Sequence, residues 1–327
     1  MNFFGKTIVD LQRNEVEIPE SQDINRIVLI SPPLFGTYLC MFGDTDKIVG
    51  MHPFCSSMNN KKLISVLAPD IDSINCRFMK GFNVNVESLT NLKPDIVFVY
   101  GKQQKEPLEN LNIPLIDMLP NSTYDPVETI LDWMKVFADV FEADEKYDRY
   151  EKAVKNTLAE IESRIANIKP EDKKKAVMIF SNNGKNMQVV GGNFYGSYWM
   201  EKCGLINCAR NLSGVKEVNI EQIYEWNPDI VYVFRGIKAD KYLNNEIMNQ
   251  DWSVINAFET KDFHTIPEGI FGWEPPNTET TLMLYWTAKK AYPELFEEID
   301  LIEESQRFYE DFFGKNVSVE IIEDVLN

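Results

Sequence analysis

The sequence predicts an α/β protein made of two lobes that one long helix joins. Short runs rich in β-branched residues alternate with amphipathic stretches along all 327 residues, which is typical of strands layered against helices. One sixteen-residue pattern occurs twice, at 85–100 and 219–234, so each half of the chain carries the same helix–strand unit. Between the halves, apolar positions recur every seven residues and indicate a straight amphipathic helix.

Buried strands are predicted where short apolar runs end at turn-forming residues. In the first half these runs are 27–30, 95–100 and 114–118, and in the second half they are 176–180, 229–234 and 263–266. The alternation with helical patterns favours an α/β layer structure in each half.

The repeated pattern has the same internal order in both copies. Each begins with an asparagine placed to cap a short helix, Asn85 or Asn219, and continues through a Pro-Asp break into a buried strand. Seven of the sixteen aligned positions are identical, and most of the others are apolar in both copies. Duplication of a lobe explains the match, although such units also recur in unrelated α/β proteins.

The segment from Asp125 to Ile168 is predicted to connect the lobes. Its apolar stripe places a helix at 145–168, about 35–40 Å long at 1.5 Å per residue, which Lys169 and Pro170 end. The stripe consists of Tyr147, Tyr150, Val154, Leu158, Ile161, Ile165 and Ile168. The predicted organisation is an N-terminal lobe at 1–122, a helical connector at 123–169 and a C-terminal lobe at 170–327.

Composition excludes several classes of protein. Apolar residues make up 44% of the chain and aromatic residues 12%, which is enough for two cores and excludes a disordered chain. The formal net charge of −18 repels phosphate backbones, so a nucleic-acid partner is not expected. No apolar run approaches the roughly 20 residues that a membrane span needs.

Cysteine, histidine and the N-terminus leave alternatives open. The five cysteines contain no CxxC or CxxH array, and Cys40 and Cys55 fit either buried thiols or a bridge in an oxidising compartment. Two histidines are too few for a zinc site built on imidazole. Residues 1–6 have no basic or apolar export signal, which indicates either a cytosolic protein or an exported one whose signal has been removed.

Taken in order along the chain, a set of short blocks resembles the substrate-binding proteins of ABC importers for metal chelates, the ferric siderophore, haem and vitamin B12 class. The resemblance covers nearly the whole chain. Its blocks are Ile8–Pro19, Arg26–Val28, Asp46–Gly50, the two repeat copies, Gly191–Asn193, Cys203–Gly204, Gly272–Pro275, Ala288–Lys289, Tyr292–Phe296 and Ile299–Asp300.

Membership of that family implies two Rossmann-like lobes bridged by one backbone helix, with the ligand in the cleft between them. It implies a monomer outside the cytoplasm, in the periplasm or as a cell-surface lipoprotein, from which the export signal has been removed. The partners would be a two-fold symmetric ABC permease with its ATPase, and the protein would have no intrinsic cofactor. Ligands beyond the carboxyl ends of strands are also what open α/β sheets favour.

The repeat supplies one glutamate per lobe, Glu87 and Glu221. In vitamin B12-binding members of the family, such glutamates dock into arginine pockets of the permease, so the resemblance implies the same role here. The alternative is a structural one, because an acidic residue in the first turn of a helix is favoured by the helix dipole.

Three candidate ligand contacts follow the strands of the two repeat copies. Tyr100 ends the first of these strands and aligns with an aromatic ligand contact of vitamin B12-binding relatives, and Lys102 lies beside it. Arg235 follows the second strand and is either a ligand contact or part of an intramolecular ion pair.

Three further candidates lie in loops or at the start of a helix. His52 follows a predicted strand and is the one candidate metal ligand, unless it is an ordinary loop histidine. Tyr195 follows the Gly-Gly-Asn turn at 191–193, and Trp273 lies in a loop that borders the ligand in relatives. Pro275 stands where relatives often carry arginine, which weakens the case for a compact oxyanion.

The sequence therefore predicts the capture of a ferric siderophore-like chelate by aromatic and cationic side chains. A corrinoid, haem, a nickel chelate or a molybdate-type oxyanion are alternatives within the family. No phosphate loop, GxSxG elbow or HExxH motif is present, so an enzyme is not expected. A cytosolic chelatase or metal-cofactor assembly enzyme is the alternative of another class.

Overall fold

Strands and helices alternate along the chain, and the strands gather into two main sheets. The computed structural model describes residues 5–121 and 124–327. Its strands are β1 (Lys6–Val9), β2 (Glu15–Ile18), β3 (Ile27–Leu29), β4 (Ile48–Met51), β5 (Met79–Lys80), β6 (Asn83–Val84), β7 (Ile96–Val99), β8 (Leu115–Asp117), β9 (Lys175–Asn182), β10 (Met187–Val190), β11 (Ile206–Asn207), β12 (Val215–Val218), β13 (Ile230–Gly236) and β14 (Phe263–Thr265).

The α-helices cover both faces of these sheets and form the connection between them. They are α1 (Pro32–Phe42), α2 (Phe54–Ser57), α3 (Lys61–Leu67), α4 (Val86–Thr90), α5 (Lys102–Lys105), α6 (Pro126–Phe141), α7 (Asp144–Ile165), α8 (Tyr195–Lys202), α9 (Ile220–Trp226), α10 (Ala239–Leu243), α11 (Asn256–Thr260), α12 (Thr280–Ala291), α13 (Leu301–Phe313) and α14 (Val319–Leu326).

Each half of the chain forms its own sheet. The first has the strand order β4-β3-β7-β8 and is parallel throughout. The second has the order β12-β10-β9-β13-β14, in which β9, β13 and β14 are parallel and β10 is antiparallel to both of its neighbours. The inner strands β3 and β7 are buried along their whole length, as their continuous apolar runs indicate. The predicted α/β class is confirmed.

The asparagines of the repeat cap equivalent helices. The side-chain oxygen of Asn85 accepts a hydrogen bond of 2.8 Å from the backbone N–H of Ser88 at the start of α4. Asn219 does the same for Gln222 in α9, at 3.0 Å. A cap of this kind stabilises a helix by about 1 kcal/mol. The prediction of a capped helix followed by a buried strand in each copy is confirmed.

The Pro-Asp breaks also act alike in the two copies. The Asp95 carboxylate accepts the backbone N–H of Arg26 at 2.9 Å, and the Asp95 N–H donates to the Arg26 carbonyl. In the second half, Asp229 makes the same pair of bonds with Lys175. Each aspartate therefore fixes the start of a repeat strand against the strand beside it.

The connector contains two helices where the sequence predicts one amphipathic segment. α6 packs against α1 in the first half, and Glu142 then takes the left-handed conformation with φ of 55° before α7 begins. α7 runs unbroken for 22 residues, about 33 Å, close to the predicted 145–168. Its fully buried positions are Tyr150, Val154, Thr157 and Ile161, so the buried stripe turns slightly away from the predicted one.

The end of the chain returns to the first half. α13 packs against α1, and α14 packs against α3. The Asp324 carboxylate of α14 accepts hydrogen bonds from the side chains of Asn60 and Lys62. α13 also packs against α12, and Leu326 of α14 lies beside Trp286, so the last two helices contact both halves. The C-terminal lobe at 170–327 stays a prediction. The expected boundary between 122 and 123 lies outside the described residues.

A buried carboxyl joins the returning helix α13 to the loop before α12. Glu279 accepts hydrogen bonds from the Tyr309 hydroxyl and, at 2.9 Å, from the backbone N–H of Ile270. A Cβ atom at Gly269 would lie 1.8 Å from the same carboxyl, so only glycine fits there. Burial raises the pKa of Glu279 to about 7, against the opposing effect of these hydrogen bonds.

Stability is therefore predicted to depend on pH through Glu279. The folded protein holds this proton up to about pH 7, whereas the unfolded chain releases it near 4.5, so rising pH favours unfolding in between. In Glu279→Gln, the amide mimics the neutral acid. We expect the variant to gain about 1.4 kcal/mol on the wild type per pH unit from pH 5 to pH 7, by urea denaturation.

The exposed variant Glu259→Gln is the control and should follow the wild type at every pH. A constant difference between Glu279→Gln and the wild type from pH 5 to pH 7 would show that Glu279 is ionised throughout that range.

Candidate functional site

Candidate residues from both halves lie at the carboxyl ends of the parallel strands. His52 follows β4, Tyr100 follows β7, and Arg235 is the second-last residue of β13. The chain turns sharply after Tyr100 because Gly101 has φ of 81°, and its N–H donates to the Asp117 side chain at 2.8 Å. Loops at these strand ends converge on the space between the two sheets, where open α/β folds bind ligands.

Two tyrosines, one from each half, lie close enough for the charge of one to affect the pKa of the other. Tyr100 is partly buried, with its ring against the edge of Trp133 at 6.3 Å between centroids, and Tyr195 starts α8 with 8% of its surface exposed. Burial raises the pKa of Tyr100, and the nearby Tyr195 hydroxyl adds to that rise. Burial likewise raises the pKa of Tyr195 to about 12, with the Glu274 carboxyl as the second cause. Both hydroxyls therefore stay protonated as hydrogen-bond donors.

Glu274, in the loop after Trp273, is a buried carboxyl near this group. It is 1% exposed, its backbone carbonyl accepts the Trp199 indole N–H at 2.7 Å, and its Oε1 atom has no hydrogen-bond partner among the described residues. Burial raises the pKa of its carboxyl to about 8, while Arg235 and the Gly196 N–H oppose that rise.

Arg235 is exposed and stacked on aromatic rings. Its guanidinium carbon lies 4.6 Å from the ring centroid of Phe234 and 5.5 Å from that of Phe180. Among the described residues Arg235 forms no ion pair. The predicted alternative of an intramolecular salt bridge is therefore absent from this part of the chain. The rings hold the guanidinium in a fixed position while leaving its N–H groups for a ligand.

A small cavity of about 120 Å³ opens beside Arg235, between residues of the two halves. Nearby, the backbone N–H of Asn60 from the first half donates to the Gly269 carbonyl of the second at 2.8 Å. The cavity is lined by Met58, Phe234, Arg235, Lys238, Ile266, Pro267, Glu268 and Gly272.

His52 is buried beneath two exposed phenylalanines. Its Nδ1 atom accepts the Phe54 N–H at 3.0 Å, and its ring centroid lies 4.7 Å from Phe54 and 5.0 Å from Phe82. Burial lowers the pKa of His52 to about 4, so the ring is neutral. Phe82, at the tip of the β5–β6 hairpin, is half exposed and was not a sequence candidate. The sequence signal that could have identified Phe82 is an aromatic residue directly after a glycine in a hairpin turn.

Two candidates lie apart from this group. The Lys102 amine is exposed on α5 and pairs with Glu106 at 3.1 Å. Trp273 is completely buried in the main core, where its indole lies near the Glu279 carboxyl. The expectation that Trp273 contacts a ligand is corrected by this burial, and the next residue, Glu274, is buried to the same extent.

Glu87 and Glu221 occupy equivalent exposed positions in the first turns of α4 and α9. Each helix ends beside the amino end of the strand that follows it, so each first turn lies toward the cleft edge of its sheet. Both the docking role and the helix-dipole role predicted for these glutamates fit that placement.

Two further features bear on function. Within residues 5–121 and 124–327, no cluster of three or more His, Cys, Asp or Glu side chains is arranged to hold a metal ion. Among the helices described, none has the combination of length and hydrophobicity that crossing a membrane requires.

Comparison with known proteins finds relatives that bind substrates for transport. The family model described as periplasmic binding protein matches residues 36–269. The molybdate-binding protein MolA of Haemophilus influenzae is 27% identical over 334 residues, which cover 94% of this chain and 91% of MolA. An uncharacterised ABC transporter substrate-binding lipoprotein of Bacillus subtilis is 23% identical, over 66% of this chain and 68% of its own.

Solved structures agree with this fold. A periplasmic solute binding protein from Veillonella parvula has a TM-score of 0.87 and 27% identity, over 98% of this chain and 97% of that one. MolA bound to molybdate has a TM-score of 0.81 and 24% identity, over 96% of this chain and 99% of that one. Since the family model spans most of its length, the chain belongs to the periplasmic binding protein family, as an extracytoplasmic substrate-binding component of an ABC importer and not an enzyme.

Proposed function

We propose that the protein captures a small, oxygen-rich anion of the molybdate type between its two halves and delivers it to its ABC permease. The observation that carries this proposal is the set of hydrogen-bond donors that converge there. Arg235 carries guanidinium N–H donors, and Tyr100 and Tyr195 keep protonated hydroxyls because burial raises the pKa of each. Charge-assisted bonds from a guanidinium to an oxyanion are among the strongest hydrogen bonds available to a protein.

The guanidinium of Arg235 offsets the absence of arginine at position 275. Its planar fork suits two oxygens of a tetrahedral anion, and the rings of Phe180 and Phe234 orient it without neutralising its charge. The net charge of −18 opposes anions only at long range, because salt screens exposed charges beyond about 8 Å.

The relatives support the same ligand class. MolA, which matches this chain over nearly the whole of both lengths, is described as molybdate-binding. The cavity of about 120 Å³ beside Arg235 also suits a compact ion better than a bulky chelate.

A ferric chelate is the second candidate, and a specific observation favours it. Phe54 and Phe82 expose 38% and 51% of their surfaces beside His52, at the cleft edge of the first sheet. A bare oxyanion has no use for such rings, whereas the organic part of a siderophore-like chelate packs well against them. Under this alternative, Arg235 and Lys102 match the negative charge of the complex.

Titration calorimetry of the purified protein decides between these candidates. Molybdate, tungstate, a ferric siderophore, cobalamin and a nickel chelate are each titrated at pH 7. We expect binding of molybdate and tungstate, with the ferric chelate weaker by at least tenfold. Tight binding of the ferric siderophore without measurable binding of molybdate would replace the proposed ligand with the second candidate.

Arg235→Ala is predicted to weaken molybdate binding by about 10- to 100-fold. The loss corresponds to roughly 1.5–3 kcal/mol for a charge-assisted hydrogen bond. Arg235→Lys keeps the positive charge but not the planar guanidinium, so its affinity for molybdate should lie between that of the wild type and that of Arg235→Ala. Arg210→Ala, an exposed arginine elsewhere in the second half, is the matched control and should bind like the wild type. Equal affinity of Arg235→Ala and the wild type would remove Arg235 from the site.

Delivery to the permease is predicted to depend on Glu87 and Glu221. Reversing both charges to lysine should abolish uptake in cells while leaving ligand affinity unchanged, because both side chains are exposed to solvent and neither belongs to the proposed donor group. The matched control reverses Glu109 and Glu259, which are exposed near the amino ends of strands. If the Glu87 and Glu221 double variant took up ligand as well as the control double variant and the wild type, these glutamates would have a role in helix stability alone.

A further inference from the structure

Lys238 is a second cation on the cavity of about 120 Å³ beside Arg235. Both side chains line that cavity, and both are exposed. The chain has 51 acidic and 33 basic residues, so carboxylates that could pair with them are in surplus. Even so, neither cation forms an ion pair within residues 5–121 and 124–327. Their two charges are therefore left for a ligand.

A fixed turn separates the two cations and brings both to the same cavity. Gly236 in this turn has φ of 90°, and a Cβ atom there would lie 2.2 Å from the Asn182 carbonyl oxygen, so only glycine fits. The next backbone N–H, that of Ile237, donates to the same carbonyl at 3.1 Å. The backbone leading to Lys238 is thus held in place, while its four-carbon side chain can still adjust to a ligand.

The rest of the cavity is apolar except for one carboxylate. Glu268 lines it, is exposed, and has no ion pair in the described part of the chain. Gly272 keeps the cavity open, because a Cβ atom there would lie 2.6 Å from the ring of Phe234, on which the guanidinium stacks. Two positive charges and one negative charge therefore surround the space.

We propose that Arg235 and Lys238 act as a pair that selects tetrahedral oxyanions with two negative charges over those with one. This inference rests on the proposed function and narrows the substrate class of the same site. Coulomb attraction scales with the product of the charges, so each cation contributes about twice as much to a dianion as to a monoanion of the same shape. The guanidinium supplies two parallel donors and the ammonium a mobile point charge.

Tungstate and perrhenate separate the effect of charge from those of shape and size. They are isoelectronic tetrahedral ions of nearly equal size, and tungstate carries two negative charges where perrhenate carries one. Removing Lys238 is therefore expected to affect tungstate more than perrhenate. Glu268 acts in the opposite direction, because its carboxylate repels the dianion about twice as strongly as the monoanion.

The test is calorimetric titration with tungstate, followed by displacement of bound tungstate with perrhenate, at pH 7 and constant ionic strength. For the wild type, we expect tungstate to bind at least about 30-fold more tightly than perrhenate. Lys238→Gln should weaken tungstate binding by about 10- to 100-fold, as loss of a charge-assisted contact does, and perrhenate binding by about the square root of that factor.

Two further variants sharpen the result. Lys216→Gln removes an exposed lysine from β12, at the opposite edge of the second sheet, and is the matched control that should keep both wild-type affinities. Glu268→Gln should strengthen tungstate binding more than perrhenate binding, so it should widen the selectivity that Lys238→Gln narrows. All three side chains are exposed, and circular dichroism checks that each variant is folded.

The possible failures are distinguishable. If the wild type binds tungstate but Lys238→Gln leaves the ratio of the tungstate and perrhenate affinities unchanged, the role of the pair is overturned and the proposed ligand stands. Equal affinity of the wild type for the two ions has the same meaning. If the wild type binds neither molybdate nor tungstate, the proposed function and this inference are overturned together.

Discussion

The structure depends on burying the segment 266–279, a loop that joins the edge of the second sheet to α12. Nearly every residue in it is buried, which is unusual for a loop because its backbone polar groups still need partners. Side chains supply them. The Asn277 amide donates to the carbonyls of Gly272, Trp273 and Pro275, and the Tyr150 hydroxyl of α7 donates to that of Thr278 at 2.6 Å.

This burial explains why two carboxyls within six residues have raised pKa values. Within the described part of the chain, neither Glu274 nor Glu279 forms a salt bridge, so desolvation outweighs the donors around each one. Glu274 lies near Arg235 and Tyr195, and Glu279 holds α13 against the loop. The same packing therefore supports both the site and the contact between the halves.

Local sequence patterns predicted the structural elements that depend only on residues close together in the sequence. The caps at Asn85 and Asn219 and the strands after each Pro-Asp break follow from turn chemistry and apolar runs, and the structure contains them. The end of α6 was not predictable, because Glu142 adopts a left-handed conformation where glycine or asparagine is the usual signal. The return of α13 and α14 to the first half also left no local signal.

The candidate site was predictable in part for the same reason. Tyr100, Tyr195 and Arg235 lie near strand ends or at a helix start, where chain order alone suggests a cleft. The burial of Trp273 and Glu274 was not predictable, because it is decided by contacts with residues distant in sequence, such as the hydrogen bond from Trp199 to the Glu274 carbonyl. The duplicated framework is alike in both halves, but the candidate side chains differ. The first half contributes mainly aromatic side chains, and the second half adds Arg235 and, near it, Glu274.

The return of the last two helices has a consequence for synthesis of the chain. The first sheet and α1 leave the ribosome early, but α1 is covered on one side by α13, which is made more than 250 residues later. Until then the core around α1 is incomplete, and the N-terminal half cannot settle into its final packing. The protein is thus expected to reach its native state only after release of its C-terminus, as one cooperative unit and not lobe by lobe.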